Sequence, residues 1–226
     1  MNARLLLVAF SLVAATASGC AFGDRHVVLQ YPPPSGGAPP LARAPRPGIT
    51  IVVHHFTDSR PRTPIGEVSN GFGMHTADVL AESDVTAWVA QAIAHDLTAA
   101  GYTVRWASQD AAGEPVQMSG QVLDAYCKAY FSYDADVSFS VQVSIDGKPV
   151  LTQLVVGRGG AGVNMAATES GYGESLAIAL RDAVAHLAAN LQAAVRTMPP
   201  PPPPVVPAPA APAPYPGPTA ASDPAS

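Results

Sequence analysis

The sequence predicts an α/β fold of the α+β kind: a two-layer sandwich in which two helices cover one face of a mostly antiparallel sheet, in the order β-α-β-β-β-β-α. Three observations predict it. Residues 135–145 place Ala135, Val137, Phe139, Val141, Val143 and Ile145 at every odd position, with serines, Asp136 and Gln142 between them. That is the period of a strand with one face on a core and the other in water. Two segments, 84–100 and 169–196, carry apolar residues at spacings of three and four, the period of amphipathic helices. Two proline-rich stretches bracket the chain between them, which is about the length of one ordinary domain and shows no internal repeat. A sheet with one apolar face needs a cover, and two amphipathic helices supply it.

The elements follow in order. Residues 49–56, ITIVVHHF, are rich in β-branched side chains and end at Thr57-Asp58-Ser59, so they read as a buried strand. A long polar, glycine-containing loop is expected over 58–78. Ser83 or Asp84 then caps a helix in which Val85, Trp88, Val89, Ala92, Ile93 and Leu97 form one face, and Gly101 closes it. A short strand follows at 102–106. Val116, Met118, Gly120 and Val122 alternate with polar neighbours and open a meander continued by 135–145 and 150–157, with Asp146-Gly147 as the tight turn between the last two. After a glycine-rich loop, Leu176, Leu180, Val184, Leu187, Leu191 and Val195 define the final helix, until proline stops it.

The flanks differ in kind from the domain. Residues 31–47 (YPPPSGGAPPLARAPRP) and 199–226, which begins with six consecutive prolines, favour extended polyproline II and cannot build a core. The first reads as a tether, able to span ~3.1 Å per residue. The second reads as a spacer, with docking into an aromatic groove or passage through the peptidoglycan mesh as further uses. The expected organisation is residues 1–19 as a signal, 20–48 as tether, 49–197 as domain and 198–226 as tail.

The N-terminus, MNARLLLVAFSLVAATASGC, has one positive side chain, Arg4, an apolar stretch over 5–15, and small residues up to the cysteine. This is a signal peptide. Its apolar run falls short of the ~20 residues that a membrane-spanning helix needs. The Ala17-Ser18-Gly19-Cys20 junction resembles the lipobox of bacterial lipoproteins, with alanine at 17 where leucine is commoner. The resemblance implies that Cys20 carries the acyl chains and opens the mature protein, anchored to a membrane without crossing it. No aspartate follows the cysteine, since the next residues are Ala21, Phe22 and Gly23. Lipoprotein sorting then implies the periplasmic face of the outer membrane.

Composition sets limits on partners. Seventeen acidic against twelve basic side chains give a net charge of −5, with no basic patch to invite nucleic acid. Once Cys20 is lipidated the other cysteine, Cys127, has no intrachain partner, and its place within a strand predicts burial.

DSRPRTPIG at 58–66, Asn70-Gly71-Phe72-Gly73 after it, the helix starting near Asp84, and YGESLAIALRDAV in the last helix resemble the YajG-like family of bacterial lipoproteins. The DSR and IG pairing is the most specific part, and the long proline tail is outside the family pattern. The resemblance implies an envelope lipoprotein and brings no catalytic residues.

Among polar clusters, His54, His75 and Asp78 have the chemistry of a zinc site. The spacing matches no metal motif, and adjacent strand positions send His54 and His55 to opposite faces, so no metal or cofactor is expected. Asp58, Ser59 and Arg60 read as a strand end and turn, with Arg60 pairing an acid across the loop. Ser175 in GYGES lacks a nucleophile elbow, and Gly157-Arg158-Gly159-Gly160-Ala161-Gly162 lacks the lysine and Ser/Thr of a phosphate loop. Trp88, Trp106 and Phe139 read as core. The expectation is a non-enzymatic adaptor or accessory of an envelope complex, contacting a protein partner through a sheet edge, the proline tail or the 58–78 loop with Asp58, Ser59, Arg60, Ile65, Gly66, Asn70 and Gly71. The alternative is a binding module for lipid, glycan or metal beside that loop.

Overall fold

A computed structural model describes residues 23–31, 41, 43–45, 48–108, 114–162 and 167–197. The signal segment, Cys20 and the proline tail lie outside the described residues. All seven expected elements are present in the expected order, and one nine-stranded sheet carries both helices. The strands are β1 (Arg25–Val27), β2 (Thr50–Val53), β3 (Thr57–Asp58), β4 (Gly66–Ser69), β5 (His75–Ala81), β6 (Thr103–Trp106), β7 (Val116–Ala129), β8 (Tyr133–Ile145) and β9 (Lys148–Gly159); the helices are α1 (Val85–Ala99) and α2 (Glu169–Arg196).

The organising element is β7. Along one edge it pairs antiparallel with β8, which pairs antiparallel with β9. Along its other edge β2, β3 and β4 follow one another, each parallel to it. Beyond β2 lies β6, and beyond β4 lie β5 and then β1. Most of the paired length is antiparallel, while the parallel pairings join segments far apart in the chain.

Sequence alternation reaches Val122 and then breaks, although β7 continues to Ala129. The cause is a bulge between Val122 and Asp124 that shifts the register. It restores the inward face as Ala125, Cys127 and Ala129, so the strand stays buried while its sequence period inverts. The predicted turn at Asp146-Gly147 forms, with φ of 50° and 74° at its two residues.

Both helices bury the predicted stripe. Asp84 caps α1 by accepting from the Thr86 and Ala87 amides at 2.8 and 3.2 Å, and Gly101, at φ 99°, follows its end. Thr168 caps α2. Leu176, Leu180, Val184, Leu187, Leu191 and Val195 are all fully buried against the sheet.

Two expectations are corrected. The fold begins well before residue 49. β1 lies inside the segment read as tether, Leu29 is buried, Gln30 accepts from the Trp88 indole at 3.2 Å, and the Tyr31 hydroxyl donates to Asp96 at 2.5 Å. Further along, the Ala44 amide donates to the Ala100 carbonyl at 2.7 Å. The first proline of this segment is Pro32, so residues 25–31 are free to pair and pack, and prolines beyond it do not prevent Ala44 from bonding to the end of α1. The 58–78 stretch is likewise not one long loop, because it contains β3, β4 and β5. These strands are two, four and seven residues long and separated by turns, too short for a periodic signal.

Candidate functional site

The residues expected to form an interaction loop divide into three groups. Asp58, Ser59 and Arg60 close on themselves. The Arg60 guanidinium meets Asp58 through Nε at 3.0 Å and Nη2 at 2.8 Å, and the Arg60 amide donates to the same carboxylate at 3.1 Å. The acid that Arg60 pairs with is thus its neighbour but one and not an acid across the loop. It is Arg62 that reaches across, to Asp124 at 3.2 Å, with its guanidinium 3.5 Å over the Tyr126 ring. Ser59 donates its amide to the Val122 carbonyl at 2.9 Å.

The hydrogen bonds from Arg60 hold the Asp58 carboxyl below the usual carboxylate range, against a smaller opposing effect of burial. A depressed folded-state pKa stabilises the fold above the ordinary carboxylate pKa, and this contribution is lost as pH falls through the folded value. In an Arg60→Gln variant the Asp58 carboxyl should titrate higher, near the ordinary range, when followed by carboxyl carbon NMR. An unchanged midpoint would show that Arg60 is not the cause.

Ile65 and Gly66 belong to the core. Ile65 is fully buried, and its amide and carbonyl bond Val79 and Cys127 at 2.7 and 2.9 Å. A Cβ on Gly66 would stand 2.5 Å from the Cys127 carbonyl oxygen and 3.3 Å from the Tyr172 ring. The Tyr172 hydroxyl donates to the Glu67 carbonyl at 2.8 Å. The Ile-Gly pair is therefore a packing device that lets α2 lie close on β4, and contact with a partner is closed to it.

Asn70 and Gly71 do reach the surface. Asn70 Oδ1 accepts from the Phe72 and Met74 amides, both at 3.0 Å, and the Gly71 carbonyl accepts from the Tyr130 hydroxyl at 3.0 Å. This ties the β4–β5 turn to the β7–β8 turn. The apolar residues there, Phe72, Met74, Tyr130 and Phe131, are exposed and were not singled out from the sequence. Their signal was present as aromatic residues inside turn-forming NGFG and YFS segments, where polar residues are usual.

The histidines do not converge. His54 Nε2 lies 2.7 Å from Gln117, His75 Nε2 lies 3.0 Å from Asp78, and His55 is exposed. Among the described residues no group of three metal-capable side chains assembles.

Cys127 is buried, as its strand position predicted. Burial pushes its thiol up to about 12, so it stays protonated. Ser175 is buried as well, one face of α2 pressing it toward the sheet. Gly157 and Gly159 lie in β9 and not in a loop. A Cβ on Gly157 would collide with the Ala179 carbonyl and with Ala183, and one on Gly159 would stand 2.5 Å from the Ser175 carbonyl. These glycines set the closeness of α2 to β9. Trp88 and Phe139 are core, whereas Trp106, on edge strand β6, is half exposed.

A cleft of about 420 Å³ opens between β1 and the start of α2, lined by His26, Gln30, Glu82, Glu169 and Glu174 among others.

The outer edge of β9 pairs with no strand among the described residues. Near its end two side chains of α2 cover it: Asp182 accepts from the Arg158 amide at 3.1 Å, and His186 sits 3.3 Å from the Val156 carbonyl. Thr152 and Leu154 share that backbone orientation. Leu154 is 61 % exposed, and Val150 and Val156 are exposed as well.

No family model and no curated protein matches the sequence. Solved structures do match. Protein XCC0632 from Xanthomonas campestris, of family DUF330, superposes with a TM-score of 0.52 at 9 % identity over 76 % of this chain and 95 % of its own. The likeness is one of fold. Lipoprotein GNA1162 from Neisseria meningitidis matches at a TM-score of 0.34 and 15 % identity, over 65 % of this chain and 94 % of its own. Hypothetical protein CT253 from Chlamydia trachomatis matches at 0.45 and 10 %, over 66 % and 98 %. The YajG-like resemblance remains one of sequence motifs. Among the described residues no helix is long and apolar enough to cross a membrane.

Proposed function

We propose that the protein is a non-enzymatic lipoprotein, held through acyl chains on Cys20 at the periplasmic face of the outer membrane, that serves an envelope complex as an adaptor. The observation that carries the protein-binding part is the stretch of β9 around Thr152 and Leu154. An unpaired strand edge presents backbone donors and acceptors in a row, and water satisfies them less well than a further strand would. The apolar side chains beside it add a surface that a solvated edge does not need. The partner that fits is an extended strand of another envelope protein, added to the sheet beyond β9. The anchoring part is supported by the signal segment and the Ala17-Ser18-Gly19-Cys20 junction.

The test is photocrosslinking in cells, with a photoreactive residue in place of Leu154 and, as reference, in place of Asn190 on the exposed side of α2. One defined heterologous adduct at 154 and none at 190 is the expected result. Crosslinking at 154 that does not exceed that at 190, or adducts with a second copy alone, would overturn the adaptor reading.

A second reading, a module for a lipid, glycan or metal of the envelope, is favoured by the cleft between β1 and α2, where His26 and three carboxylates line the wall. Calorimetric titration of the purified protein with divalent cations and envelope glycans tests it; absence of heat on all of them removes it.

A further inference from the structure

The two ends of the sheet differ in chemistry. At one end the β8–β9 turn is Asp146-Gly147 followed by Lys148, an ordinary polar hairpin. At the other end the β4–β5 turn and the β7–β8 turn meet, and residues 70–74 (NGFGM) and 130–132 (YFS) contain no Asp, Glu, Lys or Arg. Phe72 is 88 % exposed, Phe131 69 %, Met74 58 % and Tyr130 42 %. The two aromatic rings of the β7–β8 turn touch each other, with centroids 4.1 Å apart. This end is also stiff. Asn70 holds the Phe72 and Met74 amides, Gly73 takes a φ of 77°, and the Tyr130 hydroxyl bonds Gly71 across the two turns. The exposure of Phe72 is therefore built in by its hydrogen bonds.

The path of the N-terminal chain indicates what this end faces. β1 runs parallel to β5, Arg25 beside Val79, and Asp24 Oδ1 accepts from the Asp78 amide at 3.3 Å. β5 starts at the apolar end and runs away from it, so β1, parallel to it, begins on the side that faces that same end. Cys20 lies four residues before Asp24. At ~3.3–3.6 Å per residue, four residues reach about 14 Å. The stretch of sheet from Asp78 back to Met74 has the same number of residues, so four fully extended residues span at most the distance from Asp24 to the level of the turns.

We propose that the end formed by Phe72, Met74, Tyr130 and Phe131 is the membrane-contacting end of the domain, with its side chains seated in the headgroup region of the bilayer that holds the Cys20 acyl chains. The inference rests on the lipidation of Cys20. Interfacial depth suits Tyr130, since aromatic rings with one polar handle concentrate at membrane–water boundaries, and it lets Phe72, Met74 and Phe131 bury apolar surface at the acyl boundary. Uncharged turns lose little hydration free energy on entering it. The acyl chains supply retention, and the turns supply orientation. β9, which runs perpendicular to the bilayer in this arrangement, then presents its edge to the periplasm.

The test uses the full-length protein purified from membranes and reconstituted into vesicles of phosphatidylethanolamine and phosphatidylglycerol. Nitroxides are placed at Phe72→Cys, Phe131→Cys and, as the reference, Leu154→Cys. Cys127 is buried and its thiol protonated, so it takes no label. Collision with molecular oxygen, which concentrates in lipid, is compared with collision with a water-soluble nickel complex. The expected result is an oxygen-to-nickel ratio several-fold higher at 72 and 131 than at 154. Equal ratios at the three sites would overturn the proposal, as would low access of both reagents at 72 and 131, the mark of a protein contact. Intact-mass measurement on the same sample separates the two failures. Acyl mass on Cys20 with a water-like ratio removes the membrane-contacting end alone, whereas missing acyl mass removes the anchor and this proposal with it.

Discussion

The Gly157→Val variant is expected to lose about 3 kcal/mol or more of folding stability. Position 157 is where α2 comes nearest to β9, and the Ala179 carbonyl and the Ala183 side chain already occupy the space a Cβ needs. Neither obstacle is the free end of a flexible side chain. The helix must lift or the strand must bend, and overpacking of this kind costs about 1–3 kcal/mol even where side chains can adjust. Lifting α2 also loosens Leu180 and Val184, both fully buried. The measurement is urea unfolding followed by far-ultraviolet circular dichroism, with Gly23→Ala as control, since a Cβ there meets nothing within 4 Å. A drop in midpoint on the order of 1 M or more is expected for Gly157→Val, and almost none for the control. Equal midpoints would show that the β9 glycines do not set the helix–sheet distance.

The second large effect is expected at Tyr172. Its ring is fully buried, packs edge-on against Tyr133 with centroids 5.2 Å apart, and faces Gly66; its hydroxyl bonds the Glu67 carbonyl. Tyr172→Ala removes an aromatic side chain from the densest part of the core and should cost about 3–5 kcal/mol. Tyr172→Phe keeps the ring and removes one hydrogen bond, so about 1 kcal/mol is expected. A small loss in the alanine variant would mean that the Ile65-Gly66 pair does not serve α2 docking, and the pair would return to consideration as a contact surface.

These two sites also show where sequence reading stops. The stripe of α2, the cap at Asp84, the alternation of β8 and the positive-φ turn at Asp146-Gly147 depend on neighbours within a few residues, and each is visible as a local pattern. β1, β3, β4 and β5 are not. They are short, and β1 has its edge on β5 while β3 and β4 have theirs on β7, far away in the chain. The Ile-Gly pair carries a conspicuous sequence signature, yet what requires glycine at 66 is Tyr172, more than a hundred residues later. The same holds for Gly159, which composition reads as loop and pairing with Ala135 of β8 makes strand, and for the close approach of α2 at Gly157.

By itself the sequence determined the two-layer sandwich, the helix faces, the meander and the burial of Cys127, because periodicity and turn chemistry act locally. Only the tertiary structure decided that the fold includes β1 from Arg25, that Arg60 is occupied by Asp58, and that the turns bearing Phe72 and Phe131 share one end of the sheet. Proximity between segments distant in sequence is set by strand register and helix packing, and no local pattern of residues encodes it.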